Sequence, residues 1–438
     1  MTRREIRPTK GPLQGTIRVP GDKSLSHRAV LFASMASGTS KLEGVLASED
    51  VFSTIAACRA LGARIDAPVD GSGRLGTVVV VGWGDRGPVS PLDSIDCGNS
   101  GTTVRLLLGV LAGWPVRATL IGDASLSRRP MRRVTGPLES MGARFETSPD
   151  GTLPVIAQGA FPLDPLTYES PVASAQVKTA ILLAGLRADG TTRVTEPALS
   201  RDHTERLLPA FGVPVAVDDA PGASVAGPAA LRAHDLSVPA DPSSAAFLAV
   251  AASIVPGSRV VLPEVSLNPT RTGFLEVLKR MGADISISDV QSAGAEPLGT
   301  ITVSHAPALL GTVVTAAEVP TLVDEIPVLA VAAACATGVT RFEGVAELRV
   351  KESDLLEAIA LGLRAFGATV RNGRDWLEVE GGATLLPVEL DSLHDHRLAM
   401  TWAVAALVAS GPSVVTGWEA VAVSYPRFDE DLQQLGAY

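Results

Sequence analysis

Six times along this chain of 438 residues, an apolar residue is followed by glycine, then by a small apolar residue and a short alternating run. The marks are Leu61-Gly62-Ala63, Met141-Gly142-Ala143, Phe211-Gly212-Val213, Met281-Gly282-Ala283, Phe366-Gly367-Ala368 and Leu435-Gly436-Ala437. The glycines are 80, 70, 70, 85 and 69 residues apart. Glycine just past a helix takes the left-handed conformation without the cost a Cβ imposes, so each mark predicts a helix end. The residues that follow, such as Arg64-Ile65-Asp66, alternate as a half-buried strand does. Near-regular recurrence at this spacing predicts an α/β chain of six like units.

A second signature lies between the marks. A polar opening leads into a strongly apolar helix, then a glycine turn, then a β-branched strand. These helices are expected to begin near Ser26, Thr102, Ser174, Ser243, Glu325 and His396, with strands such as Thr39–Leu42 and Val339–Phe342 behind them. Runs like Ala245–Ile254 are apolar all round, so the helices should be buried. At this length one core is too few, and six units divide naturally into two domains of three. The crossings at Val19-Pro20-Gly21 and Ser237–Pro242 place one domain at 21–236 and the other at 1–20 plus 237–438, with the active site expected in the cleft between them.

Net charge is −10, which argues against nucleic acid held by phosphate neutralisation. Cys58, Cys97 and Cys335 are scattered without metal-ligand spacing, so neither a disulfide framework nor a metal site is expected. No apolar run reaches the length of a membrane span, and the expectation is a cytoplasmic monomer.

The openings of the buried helices carry the chemistry. They read Gly21-Asp22-Lys23-Ser24-Leu25-Ser26-His27-Arg28, Gly98-Asn99-Ser100-Gly101-Thr102-Thr103-Val104-Arg105, Ser174-Ala175-Gln176, Asp241-Pro242-Ser243-Ser244, Asp324-Glu325-Ile326-Pro327 and Asp395-His396-Arg397. Free N–H groups and the dipole make a helix N-terminus an anion site. Asp241 and Ser243 are read as caps. Capping leaves Lys23, Arg28, Arg105 and Arg397 unexplained, because a cation in the first turn opposes the dipole. Further cations, Arg128, Arg129, Arg201, Arg349 and Lys351, open the second helices. So many in an acidic chain call for a phosphate or carboxylate ligand. Among them, Asp324 and Glu352 are candidate acid/base groups, a capping Asp and a surface Glu being the alternative.

The chain resembles the enolpyruvylshikimate-phosphate synthase family, 3-phosphoshikimate 1-carboxyvinyltransferases. The resemblance rests on Pro20-Gly21-Asp22-Lys23-Ser24, Gly98–Thr102, Arg129-Pro130-Met131, Ser174-Ala175-Gln176-Val177-Lys178, Asn268–Gly273, Arg349–Asp354 and Asp395-His396-Arg397. Ala175 and Ser200-Arg201-Asp202-His203-Thr204 look like its glyphosate-tolerant second class. The resemblance implies the two-domain enolpyruvyl transferase fold, no cofactor, and small phosphorylated substrates. It also implies transfer of a carboxyvinyl group from phosphoenolpyruvate to the 5-hydroxyl of 3-phosphoshikimate. By matching position, Lys23, Ser24, Arg28, Ser174, Gln176, Arg201, Asp324 and Lys351 bind phosphoshikimate; Lys23, Gly101, Arg129, Gln176 and Arg397 face phosphoenolpyruvate. Asp324 would take the 5-hydroxyl proton, and Glu352 with Lys23 would handle the methylene. The chain departs from the pattern at Leu355, where the family carries an arginine for phosphoenolpyruvate. Val423, His394 and Arg132 are lesser departures. The alternative is a relative that eliminates the 3-phosphate without phosphoenolpyruvate.

Overall fold

The computed structural model describes residues 1–438 apart from 72, 218–220, 294–295 and 351–352. The chain divides into two compact units. One, here the Gly21 unit, is Gly21–Val238 with Ala293–Glu296; the other, the terminal unit, is Met1–Pro20, Pro239–Ser292 and Pro297–Tyr438.

The Gly21 unit contains α1 (Lys23–Met35), α2 (Glu49–Ala60), α3 (Gly101–Ala112), α4 (Arg132–Ser140), α5 (Ala175–Gly185) and α6 (His203–Leu207). The terminal unit contains α7 (Pro242–Ile254), α8 (Gly273–Arg280), α9 (Ile326–Cys335), α10 (Leu355–Ala365), α11 (His396–Ala406) and α12 (Phe428–Gln434). Odd-numbered helices are the apolar ones and even-numbered helices the amphipathic ones. Five of the six repeated glycines directly follow the caps of α2, α4, α8, α10 and α12, with φ of 102°, 105°, 93°, 93° and 88°; Gly212, at 86°, instead ends the turn that runs on from α6 after Leu207. Any other residue at these positions would carry the Cβ penalty of the left-handed region. α1 starts at Lys23, three residues before the apolar run places it, because the Asp22 carboxylate caps it by accepting Leu25 N–H at 2.8 Å. Lys23 and Ser24 therefore sit inside the first turn.

The sheets repeat one plan. In the Gly21 unit the strand after each apolar helix (Thr39–Glu43, Arg117–Ile121, Gly190–Thr195) runs antiparallel to a later strand (Val78–Val81, Val155–Gln158, Gly222–Gly227). That later strand also pairs with the one following the glycine mark. A short parallel strand closes the other edge. In the terminal unit the N-terminal segment supplies missing partners. Arg3–Ile6 pairs antiparallel with Ser413–Thr416, and Gln14–Thr16 pairs parallel with Arg259–Ser266. These ladders tie the chain's first residues to its C-terminal half.

Each unit has its own core, one around Phe32, Leu108 and Leu182, the other around Phe274, Leu329, Phe366 and Trp402. With aromatics at 4%, backbones pack closely. A Cβ on Gly109 of α3 would lie 2.3 Å from the Ala180 carbonyl oxygen of α5, so the two helices meet at a glycine. Every fully buried leucine, valine or phenylalanine along these helices contributes about 1.5–3 kcal/mol, which fixes where their N-termini can lie.

Candidate functional site

In the Gly21 unit three buried helices open on the residues singled out from the sequence: α1 at Lys23, α3 at Gly101 and α5 at Ala175. Asp22, Ser100 and Ser174 cap them, each side chain accepting one first-turn N–H. A cap satisfies one of the four orphan donors of a helix start, leaving the dipole and the remaining N–H groups directed outward.

Gly101 is where cations converge. A Cβ there would lie 3.0 Å from Arg105 Nη1 and 3.2 Å from Arg129 Nη1. The bare glycine leaves room for two guanidinium groups over the start of α3. Both are bonded by side-chain amides. Arg129 Nη2 donates to Asn99 Oδ1 at 2.8 Å, and Asn99 Nδ2 donates to Asp123. Arg105 Nη1 donates to Gln176 Oε1 at 2.6 Å, and Gln176 Nε2 donates to Thr102 Oγ1 at 3.0 Å. Gln176 thus joins the start of α5 to that of α3. A phosphate or carboxylate is the ligand such a cluster suits.

Lys23 lies 3.4 Å from Asp50 of α2, a neighbour not singled out from the sequence. Arg201 Nη1 reaches Ser24 Oγ at 3.5 Å. Arg28 is buried; its Nε donates to Thr204 Oγ1 at 2.8 Å, Nη2 to Thr179 Oγ1 at 2.9 Å and Nη1 to the Ser24 carbonyl at 3.1 Å. Burial pushes its guanidinium down to about 10, with Glu205 and Asp22 opposing that, so it keeps its charge at neutral pH. The phosphoshikimate candidates Lys23, Ser24, Arg28, Ser174, Gln176 and Arg201, and the phosphoenolpyruvate candidates Gly101 and Arg129, all belong to this one unit.

A buried charge cluster behind them escaped sequence reading. Lys178 of α5, 2% exposed, lies 2.9 Å from Glu196 and 2.6 Å from Glu205. Burial pushes the lysine down, but the two carboxylates outweigh it and hold the ammonium above its ordinary value. The usable signal was a lysine in the first turns of a helix whose following residues, Ala180–Leu183, are all apolar. A charge there must be paired.

In the terminal unit, Asp324 and Arg397 come together. Arg397 Nε donates to Asp324 Oδ1 at 3.0 Å, and its Nη1 to Asp395 Oδ2 at 3.0 Å. Asp395 also caps α11 by accepting Arg397 N–H at 2.8 Å. At the start of α7, Asp241 is the cap, accepting Ser243 N–H, and pairs with buried Arg271 at 2.9 Å; Ser243, also read as a cap, lies inside the helix and donates its hydroxyl to Glu325.

Lys351 and Glu352 lie outside the described residues. Arg349, counted from the sequence among the ligand-seeking cations, is used within the fold. Its guanidinium bonds Asp354 at 2.6 Å and the carbonyls of Arg374 and Gly373. Leu355 is the first residue of α10 and is fully buried in the terminal core. Arg132 and His394, the two charged or titratable departures from the family pattern, are turned to other partners. Arg132 donates to the Pro149 carbonyl at 3.0 Å, and His394 stands 4.0 Å from Glu419.

Comparison with known proteins gives a consistent set of likenesses. The family described as EPSP synthase (3-phosphoshikimate 1-carboxyvinyltransferase) matches residues 8–432. The 3-phosphoshikimate 1-carboxyvinyltransferase of Halorhodospira halophila is 50% identical over 426 residues, covering 97% of this chain and 94% of that one. The structure of EPSP synthase from Acinetobacter baumannii superimposes with a TM-score of 0.90 at 42% identity, over 99% of this chain and 98% of that one. The enolpyruvyl transferase NikO from Streptomyces tendae gives 0.77 at 20% identity, over 99% and 97%, a likeness of fold alone.

Proposed function

The chain belongs to the EPSP synthase family, and on that premise we infer that it transfers the carboxyvinyl group of phosphoenolpyruvate to the 5-hydroxyl of 3-phosphoshikimate. It is an enzyme of the enolpyruvyl transferase family with the enolpyruvyl transferase fold, acting in the shikimate pathway. Among the described residues no helix is long and apolar enough to cross a membrane.

The observation that carries the substrate reading is the Gly101 cluster, with Arg105 and Arg129 over a helix N-terminus and Gln176 tied to both helices. The substrates bring two phosphates and two carboxylates, and anion stabilisation of this kind is the protein's principal means of catalysis. In this reading Lys23, Ser24, Arg28, Ser174, Gln176, Arg201, Asp324 and Lys351 hold phosphoshikimate. Gly101, Arg129, Gln176, Lys23 and Arg397 face phosphoenolpyruvate.

Chemically, Asp324 removes the 5-hydroxyl proton and the oxygen bonds to C2 of phosphoenolpyruvate, while Lys23 with Glu352 supplies a proton to C3. Removal of a proton from the resulting methyl group and departure of phosphate then restore the double bond. The ion pair supports Asp324 as the base by holding it beside Arg397, a residue this reading assigns to phosphoenolpyruvate, so the proton acceptor stands next to the second substrate. Ala175 and the Ser200–Thr204 string support the glyphosate-tolerant second class.

Leu355 favours a second reading, because the terminal core takes the position where the family pattern has a phosphoenolpyruvate-binding arginine. One assay separates the two. The purified protein is given 3-phosphoshikimate with and without phosphoenolpyruvate, and phosphate and product mass are followed. Release only with both substrates, with a product heavier by the carboxyvinyl group, is expected. Phosphate released from phosphoshikimate alone would establish elimination instead.

A further inference from the structure

Behind the anion-binding face of the Gly21 unit, one carboxylate holds two separate segments. Glu196 stands just beyond the strand Gly190–Thr195 and its side chain is almost wholly buried. Its Oε1 accepts the backbone N–H of Ser174 at 2.6 Å, and its Oε2 accepts the Ser200 hydroxyl at 2.6 Å. Ser174 caps α5, and Ser200 immediately precedes Arg201. Both segments carry residues that the functional reading gives to phosphoshikimate.

We propose that Glu196 is a positioning residue for phosphoshikimate, fixing the start of α5 and the Arg201 segment in the geometry that receives that substrate.

The proposal rests on the carboxyvinyltransferase reading. Neither Ser174 N–H nor the Ser200 hydroxyl needs a buried carboxylate merely to be satisfied; a backbone carbonyl or water would do at less desolvation cost. The fold instead commits three ionised groups. Lys178 balances Glu196 and also pairs with Glu205, on α6 beside Arg28's partner Thr204. Thr204 and Thr179 are themselves joined at 2.6 Å. The cluster therefore reaches Ser174, Arg201 and Arg28 from behind. It does not reach Gln176 in the same way, because that amide is set by Arg105 and Thr102. Of the phosphoenolpyruvate residues in this unit only Gln176 lies on the helix start that Glu196 holds, and its amide is also anchored to α3, so removing the charge should weigh far more on phosphoshikimate.

The test is Glu196→Gln, with Ser200→Ala as a milder companion that deletes only one arm. Phosphoshikimate binding by calorimetry is measured without phosphoenolpyruvate, alongside both KM values, kcat and the melting temperature. Expected for Glu196→Gln is a loss of phosphoshikimate affinity of about tenfold or more, the size of one charge-assisted hydrogen bond. The KM for phosphoenolpyruvate should stay within about twofold. Ser200→Ala should lose affinity for the same substrate several-fold. Unchanged phosphoshikimate affinity in a folded Glu196→Gln overturns the proposal, and so does an equal loss for both substrates. Should Glu196→Gln not fold, unchanged affinity in Ser200→Ala decides against it. A wild-type protein that fails to bind phosphoshikimate at all would instead sink the functional reading.

Discussion

Arg397 Nε donates to Asp324 Oδ1 at 3.0 Å, so the candidate base of the terminal unit is held by a cation at the start of α11. The same guanidinium bonds Asp395, which caps that helix. The base is thus oriented by a group whose own position is set by the helix end.

Asp324→Asn keeps the shape and removes the proton acceptor. If Asp324 accepts the 5-hydroxyl proton, kcat should fall by about 10²–10⁴-fold, the usual worth of general base catalysis. Substrate affinities measured by binding should change far less. Steady-state kinetics with a binding titration checks this, and a kcat within threefold of wild type would remove Asp324 from the chemistry.

At Gly101 the prediction concerns space. A methyl group there would lie 3.0 and 3.2 Å from the nearest nitrogens of Arg105 and Arg129, closer than an ordinary contact. Gly101→Ala should push both guanidinium groups aside and raise the KM for phosphoenolpyruvate by about tenfold, one to two kcal/mol of anion binding. The backbone there is not in the left-handed region, so the fold should tolerate the change. Melting temperature and the two KM values, measured together, separate crowding from misfolding.

How much of this the sequence revealed depended on locality. The glycine marks were legible because a helix or turn stop is decided within a few residues, and all six adopt positive φ, five of them directly at a helix end. The helix openings were legible because cations at an N-terminus conflict with the dipole. Glu196 and Glu205 were not legible. Lone glutamates near surface-like strings look solvated until the fold brings them to Lys178. Arg349 misled for the mirror-image reason: its partners include carbonyls some 25 residues away, which no motif displays. Sequence position identified the charged groups, whereas their partners required the packing.

His27 supplies a pH prediction. It is buried in α1, its Nδ1 is 2.7 Å from Thr54 Oγ1, and burial pushes it down to about 4 from an ordinary 6.5. Above pH 6.5 folded and unfolded chains are both neutral at this residue. Between 6.5 and 4 the unfolded chain takes a proton that the folded one refuses. Stability present at neutral pH is therefore lost as pH falls through that window, by about 3 kcal/mol in all. Denaturant unfolding at pH 7 and pH 4.5 should show the loss in wild type and a smaller one in His27→Gln. Equal losses would mean that His27 is not the group responsible.

Leu355 supplies a prediction that joins stability to anion binding. It is fully buried in the terminal core and forms the first residue of α10, capped by Asp354. An arginine there must either give up the leucine's packing or carry its charge through apolar surroundings to solvent, and at a helix start its charge opposes the dipole. Leu355→Arg should therefore lose about 2–4 kcal/mol, comparable to a large-to-small core substitution, and the melting temperature should fall by several degrees. Calorimetric melting checks this directly, and an unchanged melting temperature would show that the leucine is not core packing. The KM for phosphoenolpyruvate in the same variant gives the other half of the comparison. If it falls while stability falls, Leu355 exchanges affinity for phosphoenolpyruvate for a better-packed terminal unit.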